Sequence, residues 1–172
     1  MRVGEKLGHS QGDIEGSVRR LRVLSNEFQT FHKINRVRAT EASTEARRIL
    51  SELFLFFRNG QDYGRIPRDV TPPRYMAVIA NDLAPAVAQR MVNAQEVERA
   101  HANTDTRASF RDALNKIAHQ DTNMAGYRVD GAHHLIILTG REDEAGIRRW
   151  VAEIDVALFC DYCEGILEQT AA

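Results

Sequence analysis

The sequence predicts a mainly α chain, a helical bundle with one β-hairpin inserted before the C-terminal helix. Three observations lead there. Apolar residues recur at three- and four-residue steps along most of the chain. Only four prolines interrupt its 172 residues. The period shortens towards two over a single stretch, 127–139, which contains a Gly-Ala turn signal. Residues 1–12 hold three glycines and no period, and are expected to be a flexible N-terminal tail. Residues 13–172 are expected to form a single helical domain, an ordinary size for one core.

The elements follow in order. Ile14, Val18, Leu21, Leu24, Phe28, Phe31, Ile34 and Val37 fall on one helical stripe. A second apolar set, Ile49, Leu50, Leu53, Phe54, Phe56 and Phe57, runs up to Gly60, which reads as a helix stop. Thr and Ser cluster at 39–44, so the break between two helices is placed there; one very long helix is the alternative. Residues 58–73 read as a loop rich in Gly and Pro. Pro72 and Pro73 suit the start of a helix through Met76, Ile79 and Leu83. Pro85 kinks or restarts it, and Val87, Met91 and Val97 carry it to about His101. Thr104 or Thr106 can cap a helix through Phe110, Leu114 and Ile117. Tyr127–Asp130 and His133–Thr139 then read as two strands joined by Gly131-Ala132. Glu142, Asp143 and Glu144 crowd the expected start of the last helix, where the dipole favours acids. Ile147, Trp150, Val151, Ile154, Leu158 and Ile166 are its expected apolar face.

Composition narrows the function classes. No apolar run approaches the length of a membrane span. The first residues hold no apolar segment of a secretory signal, and Cys160 and Cys163 make no disulfide framework. A cytoplasmic protein with no membrane partner is expected. Residues 1–74 carry 14 Lys and Arg against 9 Asp and Glu, a net +5. Residues 75–172 carry 9 against 15, a net −6. Arginines outnumber lysines 20 to 3. Such a half is compatible with nucleic acid, and equally with a coding sequence that favours arginine.

The chemistry concentrates at 110–121. Phe110, Leu114 and Ile117 face a core, while Arg111, Asn115 and His119 step by four along a polar ridge. Each step advances about 40°. Imidazole can move a proton, guanidinium can steady negative charge, and the amide can orient a ligand. The plainer alternative is that His119 ties down the loop at Asp121 and Thr122. Lys116 is a secondary candidate on another side of the helix.

The run Asn115-Lys116-Ile117-Ala118-His119-Gln120-Asp121 at a helix end resembles the terminal motif of HEPN domains, helical domains of prokaryotic toxin, phage-defence and RNA-processing proteins. Asp112 matches the polar residue that often follows the motif arginine. Seven residues separate Arg111 from His119, a wider gap than the family pattern. The resemblance implies a metal-independent RNase in which the RNA 2′-hydroxyl attacks its own phosphate. His119 would carry the proton, Arg111 hold the phosphate and Asn115 orient it. It also implies a homodimer sharing one cleft, with RNA, a protein partner or an antitoxin as further partners. No cofactor is expected. The alternative function is a non-catalytic protein-interaction or dimerisation module.

Cys160-Asp161-Tyr162-Cys163 with His133-His134 is the one candidate metal set. It is set aside, because the cysteines fall within a helical pattern and adjacent strand histidines point to opposite faces.

Overall fold

The computed structural model describes residues 11–67, 77–93, 106–145 and 148–171. Ten elements follow in order: α1 (Gln11–Phe31), α2 (Arg36–Asp62), β1 (Ala77–Leu83), α3 (Pro85–Asn93), β2 (Thr106–Arg107), α4 (Phe110–Ala118), β3 (Ala125–Asp130), β4 (His133–Thr139), β5 (Arg148–Asp155) and α5 (Val156–Ala171). The strands form one antiparallel sheet of order β2-β1-β5-β4-β3. The fold is therefore mixed α and β. The expected helical bundle with a single inserted hairpin is overturned by this sheet.

The correction has a physical cause at each new strand. Ile79 and Leu83 are spaced as on a helix, yet β1 is buried on both faces, with Ile79 on one and Ala80 on the other. On β5 every residue from Trp150 to Asp155 is buried. A central strand covered on both sides shows no alternation, so its apolar run looks like part of a helix. Asp155 then starts α5: its Oδ1 accepts from the Leu158 N–H at 3.1 Å. The acidic triplet 142–144 lies before β5 and caps no helix.

Other boundaries move for local reasons. The α1 stripe is buried from Ile14 through Phe28, as the period predicts. The chain then turns at residues 32–35, earlier than 39–44. Asn35 caps α2 there, its side chain accepting from the Arg38 N–H at 3.1 Å. Ile34 and Val37 thereby leave the stripe. Gly60 does not stop α2; Ile66 of the returning chain packs so closely there that a Cβ would lie 2.5 Å from it. Pro85 is the first residue of α3 rather than a kink, a position that needs no N–H. Ser109, not Thr104 or Thr106, caps α4 through a reciprocal pair with Asp112. The hairpin forms in the expected register, Asp130 facing His133, with Gly131 at φ +59° in the turn. The helix expected from Pro72 to Met76, its continuation from Val97 to His101, and most of the N-terminal tail lie outside the described residues.

Two layers flank the sheet. Ala77, Ile79, Ile136, Leu138, Ala152 and Ile154 pack towards α1, α2, α4 and α5. Ala80, Ile137 and Val151 meet α3 on the other face. Gly126 permits that second contact, because a Cβ there would lie 2.2 Å from the Val92 carbonyl oxygen. No described helix is long and apolar enough to cross a membrane.

Candidate functional site

Helix α4 presents its polar ridge as the spacing predicts, but the three side chains meet different surroundings. Arg111 turns to the end of α2. Its Nη2 lies 2.9 Å from Asp62 Oδ1, and Nη1 donates more weakly to Gln61 Oε1 at 3.4 Å. Asn115 keeps its Oδ1 buried and without a hydrogen-bond partner among the described residues. His119 is the exposed C-cap residue. It lines a groove of about 420 Å³ with Gln120, Arg141, Glu142, Asp143 and Trp150. Eight residues of helix put Arg111 and His119 about 12 Å apart along the axis. The arginine is thus paired at one end of α4 and the histidine opens at the other. Lys116 rests over the Trp150 ring, 4.6 Å from its centre, and burial lowers its ammonium pKa.

The residues set aside as metal ligands are also separated. His133 is exposed and its Nδ1 lies 2.5 Å from the buried Asp155 carboxylate. His134 points to the opposite face and is fully buried. Its ring stacks on Phe28 with centres 3.9 Å apart, and Nε2 meets Ser43 Oγ at 3.1 Å. Burial pushes the imidazole pKa down to about 3. Both cysteines are buried in α5, and burial pushes the Cys160 thiol up to about 12.

Sequence reasoning missed a second surface. The α1–α2 turn and β3 border a groove of about 560 Å³, lined by Phe28, His32, Lys33, Arg36, Tyr127 and Val129 among others. The His32 Nδ1–H donates to the Gln29 carbonyl at 2.7 Å, which leaves Nε2 as the second polar atom of the ring. That ring stacks against Phe28, and the Tyr127 ring meets Phe28 edge-on at 5.1 Å. The Tyr127 hydroxyl shares a 2.5 Å hydrogen bond with Thr40, fixing β3 against α2. Arg38 adds a guanidinium 4.0 Å above the Phe31 ring. Lys33 and Arg36 are exposed, and neither forms an ion pair with a described residue. The signals were the basic excess of the first half and Asn35, a good N-cap inside an assumed helix.

Across the sheet from this groove, Arg128 and Glu153 form a buried bidentate pair at 2.9 and 2.7 Å. It bridges edge strand β3 to central strand β5 over β4.

No protein-family model, curated protein or solved structure matches the chain.

Proposed function

We propose that the chain binds RNA in the basic groove between the α1–α2 turn and β3. Lys33 and Arg36 carry this reading: two exposed cations at one groove, beside His32, with no carboxylate partner among the described residues. Phosphates bound by such cations release counterions, the dominant sequence-independent source of affinity for nucleic acid. The proposal keeps the RNA-directed role implied by the HEPN resemblance, in a toxin or phage-defence setting, and moves the contact surface off α4. Cleavage by Arg111, Asn115 and His119 receives less support. Asp62 already answers the Arg111 charge, and the helix length separates that guanidinium from the His119 ring.

The test is fluorescence anisotropy with a labelled single-stranded RNA. Lys33→Glu combined with Arg36→Glu is expected to weaken binding at least about tenfold, since each reversal replaces an attraction by a repulsion. Wild-type protein that binds no RNA, or a double variant that binds as well as wild type, rejects the proposal. The same samples, incubated and run on a denaturing gel, report whether RNA is cut and whether His119→Ala stops it.

One observation favours the non-catalytic interaction module as a second reading. Ile34 and Val37 are 74% and 69% exposed at the same turn, an apolar pair suited to a second copy or another protein. Sedimentation at micromolar concentration tests the homodimer. A single 19.4 kDa species removes it.

A further inference from the structure

Strand β3 is the outermost strand, and no described strand pairs on its far side. The two-residue turn decides which backbone groups this leaves open. Asp130 and His133 flank Gly131 and Ala132, so they exchange both hydrogen bonds. Alternation makes Arg128–Leu135 and Gly126–Ile137 the next bonded pairs. The N–H and C=O groups of Ala125, Tyr127 and Val129 therefore point away from β4. No backbone hydrogen bond to another described segment uses them. Tyr127 and Val129 also line the groove that Lys33 and Arg36 border. One wall offers open backbone donors and acceptors, and the facing wall offers unpaired positive charge.

We infer that the groove takes unpaired, single-stranded RNA, with phosphates on Lys33 and Arg36 and base edges against the backbone of Tyr127 and Val129. This rests on the RNA reading above and names the ligand form. A base in a duplex already spends its pairing edge on its partner strand, so it has nothing to offer those backbone groups. Single-stranded bases keep that edge free, and sequence-reading RNA modules use it in this way. Tyr127 is partly exposed at this groove, and exposed aromatic side chains stack bases. The Thr40–Tyr127 hydrogen bond ties β3, one wall of the groove, to α2. An extended acidic peptide can also add to a free strand edge. Here the open ladder is only three residues long, whereas the cations match a ligand with a charge at every nucleotide.

The experiment compares one labelled RNA sequence as a single strand and annealed to its complement, at equal salt. The single strand is expected to bind at least about tenfold tighter, the worth of the backbone hydrogen bonds that a duplex cannot make. Val129→Pro removes one outward N–H that β4 does not need, a substitution edge strands accept. It is expected to lose about tenfold for the single strand with its circular dichroism spectrum unchanged. Should that variant not fold, replacing the Val129 amide by an ester removes the same N–H and keeps the side chain. Equal binding of both RNA forms overturns the inference and leaves the RNA reading intact. So does wild-type affinity in a folded Val129 variant. Displacement of the RNA by a poly-glutamate peptide at lower concentration than by unlabelled RNA also overturns it, in favour of strand addition. Absence of binding to either RNA form removes the RNA reading and this inference together.

Discussion

Helix α4 and the α1–α2 turn each carry an arginine and a histidine, eight positions apart on the helix and four at the turn, but their neighbours give them different standing. On α4 the guanidinium of Arg111 is held by Asp62 and leaned on by Gln61, so its charge is spent inside the protein. At the turn, Lys33 and Arg36 have no such acid among the described residues. A polar ridge read from helical spacing identifies which residues share a face. It does not reveal whether a carboxylate from another element has already claimed the charge. Partnering, rather than residue type, separates a structural arginine from a ligand-binding one.

The largest effect expected on this comparison comes from the groove floor. His134 lies under Phe28 with its imidazole pKa at about 3, against about 6.5 in the unfolded chain. The unfolded state therefore binds the proton more readily. The neutral folded form has its full stability above pH 6.5, and loses it as pH falls towards 3. The loss is about 1.4 kcal/mol per pH unit, so urea unfolding at pH 5 should show roughly 2 kcal/mol less stability than at pH 7 from this group. His134→Leu should flatten that part of the profile. An unchanged slope would mean the ring does not sit buried beneath the groove.

A comparable loss is expected where α3 meets the hairpin. Gly126→Ala drives a Cβ into the Val92 carbonyl, which is backbone and cannot swing aside. Overpacking of this kind costs about 1 to 3 kcal/mol. The thermal midpoint should fall accordingly, while Gly131→Ala, in open space, strains only its own turn. A Gly126→Ala protein as stable as wild type would show that α3 is not seated on β3.

The two ends of α4 provide the smaller contrast. Asp62→Ala frees Arg111, and since both groups are partly solvent-exposed the loss should not exceed about 1 kcal/mol. His119→Ala should change stability by less than about 0.5 kcal/mol, because the exposed ring packs on little. A drop of several degrees in His119→Ala would mean the imidazole ties down the neighbouring loop after all.

Much of the fold could be read from the residues, and the exceptions share one cause. The α1 stripe and the buried face of α4 each have one side against the core and one towards water, and their periods show it. Strand β4 is buried on both faces from His134 to Thr139, and the hairpin was legible from its Gly131-Ala132 turn instead. Strand β1 at Ile79-Ala80 and strand β5 from Trp150 to Asp155 are buried on both faces. Their Ile79-Ala80 and Val151-Ala152 steps bury consecutive residues, and nothing local separates this from a buried helix. Of the site, the membership of the α4 ridge was legible, whereas the Arg111–Asp62 pair joins residues 49 positions apart and was not. The groove depends on contacts such as Thr40 with Tyr127, 87 positions apart, so no window of sequence contains it. Asn35 was a visible cap, overlooked because Ile34 and Val37 prolonged the apolar period by chance.

The central claim is that Lys33 and Arg36, which have no acid partner among the described residues, receive phosphate. Its most direct test is the salt dependence of RNA affinity in wild type and in a Lys33→Gln/Arg36→Gln double variant. Each phosphate contact on a single strand contributes about 0.7 to the slope of log affinity against log salt. Loss of both cations is expected to lower the slope by about 1.4, whereas Arg111→Gln should leave it unchanged because that guanidinium is already paired. Equal slopes for wild type and the double variant, or a fall produced by Arg111→Gln alone, would contradict the account.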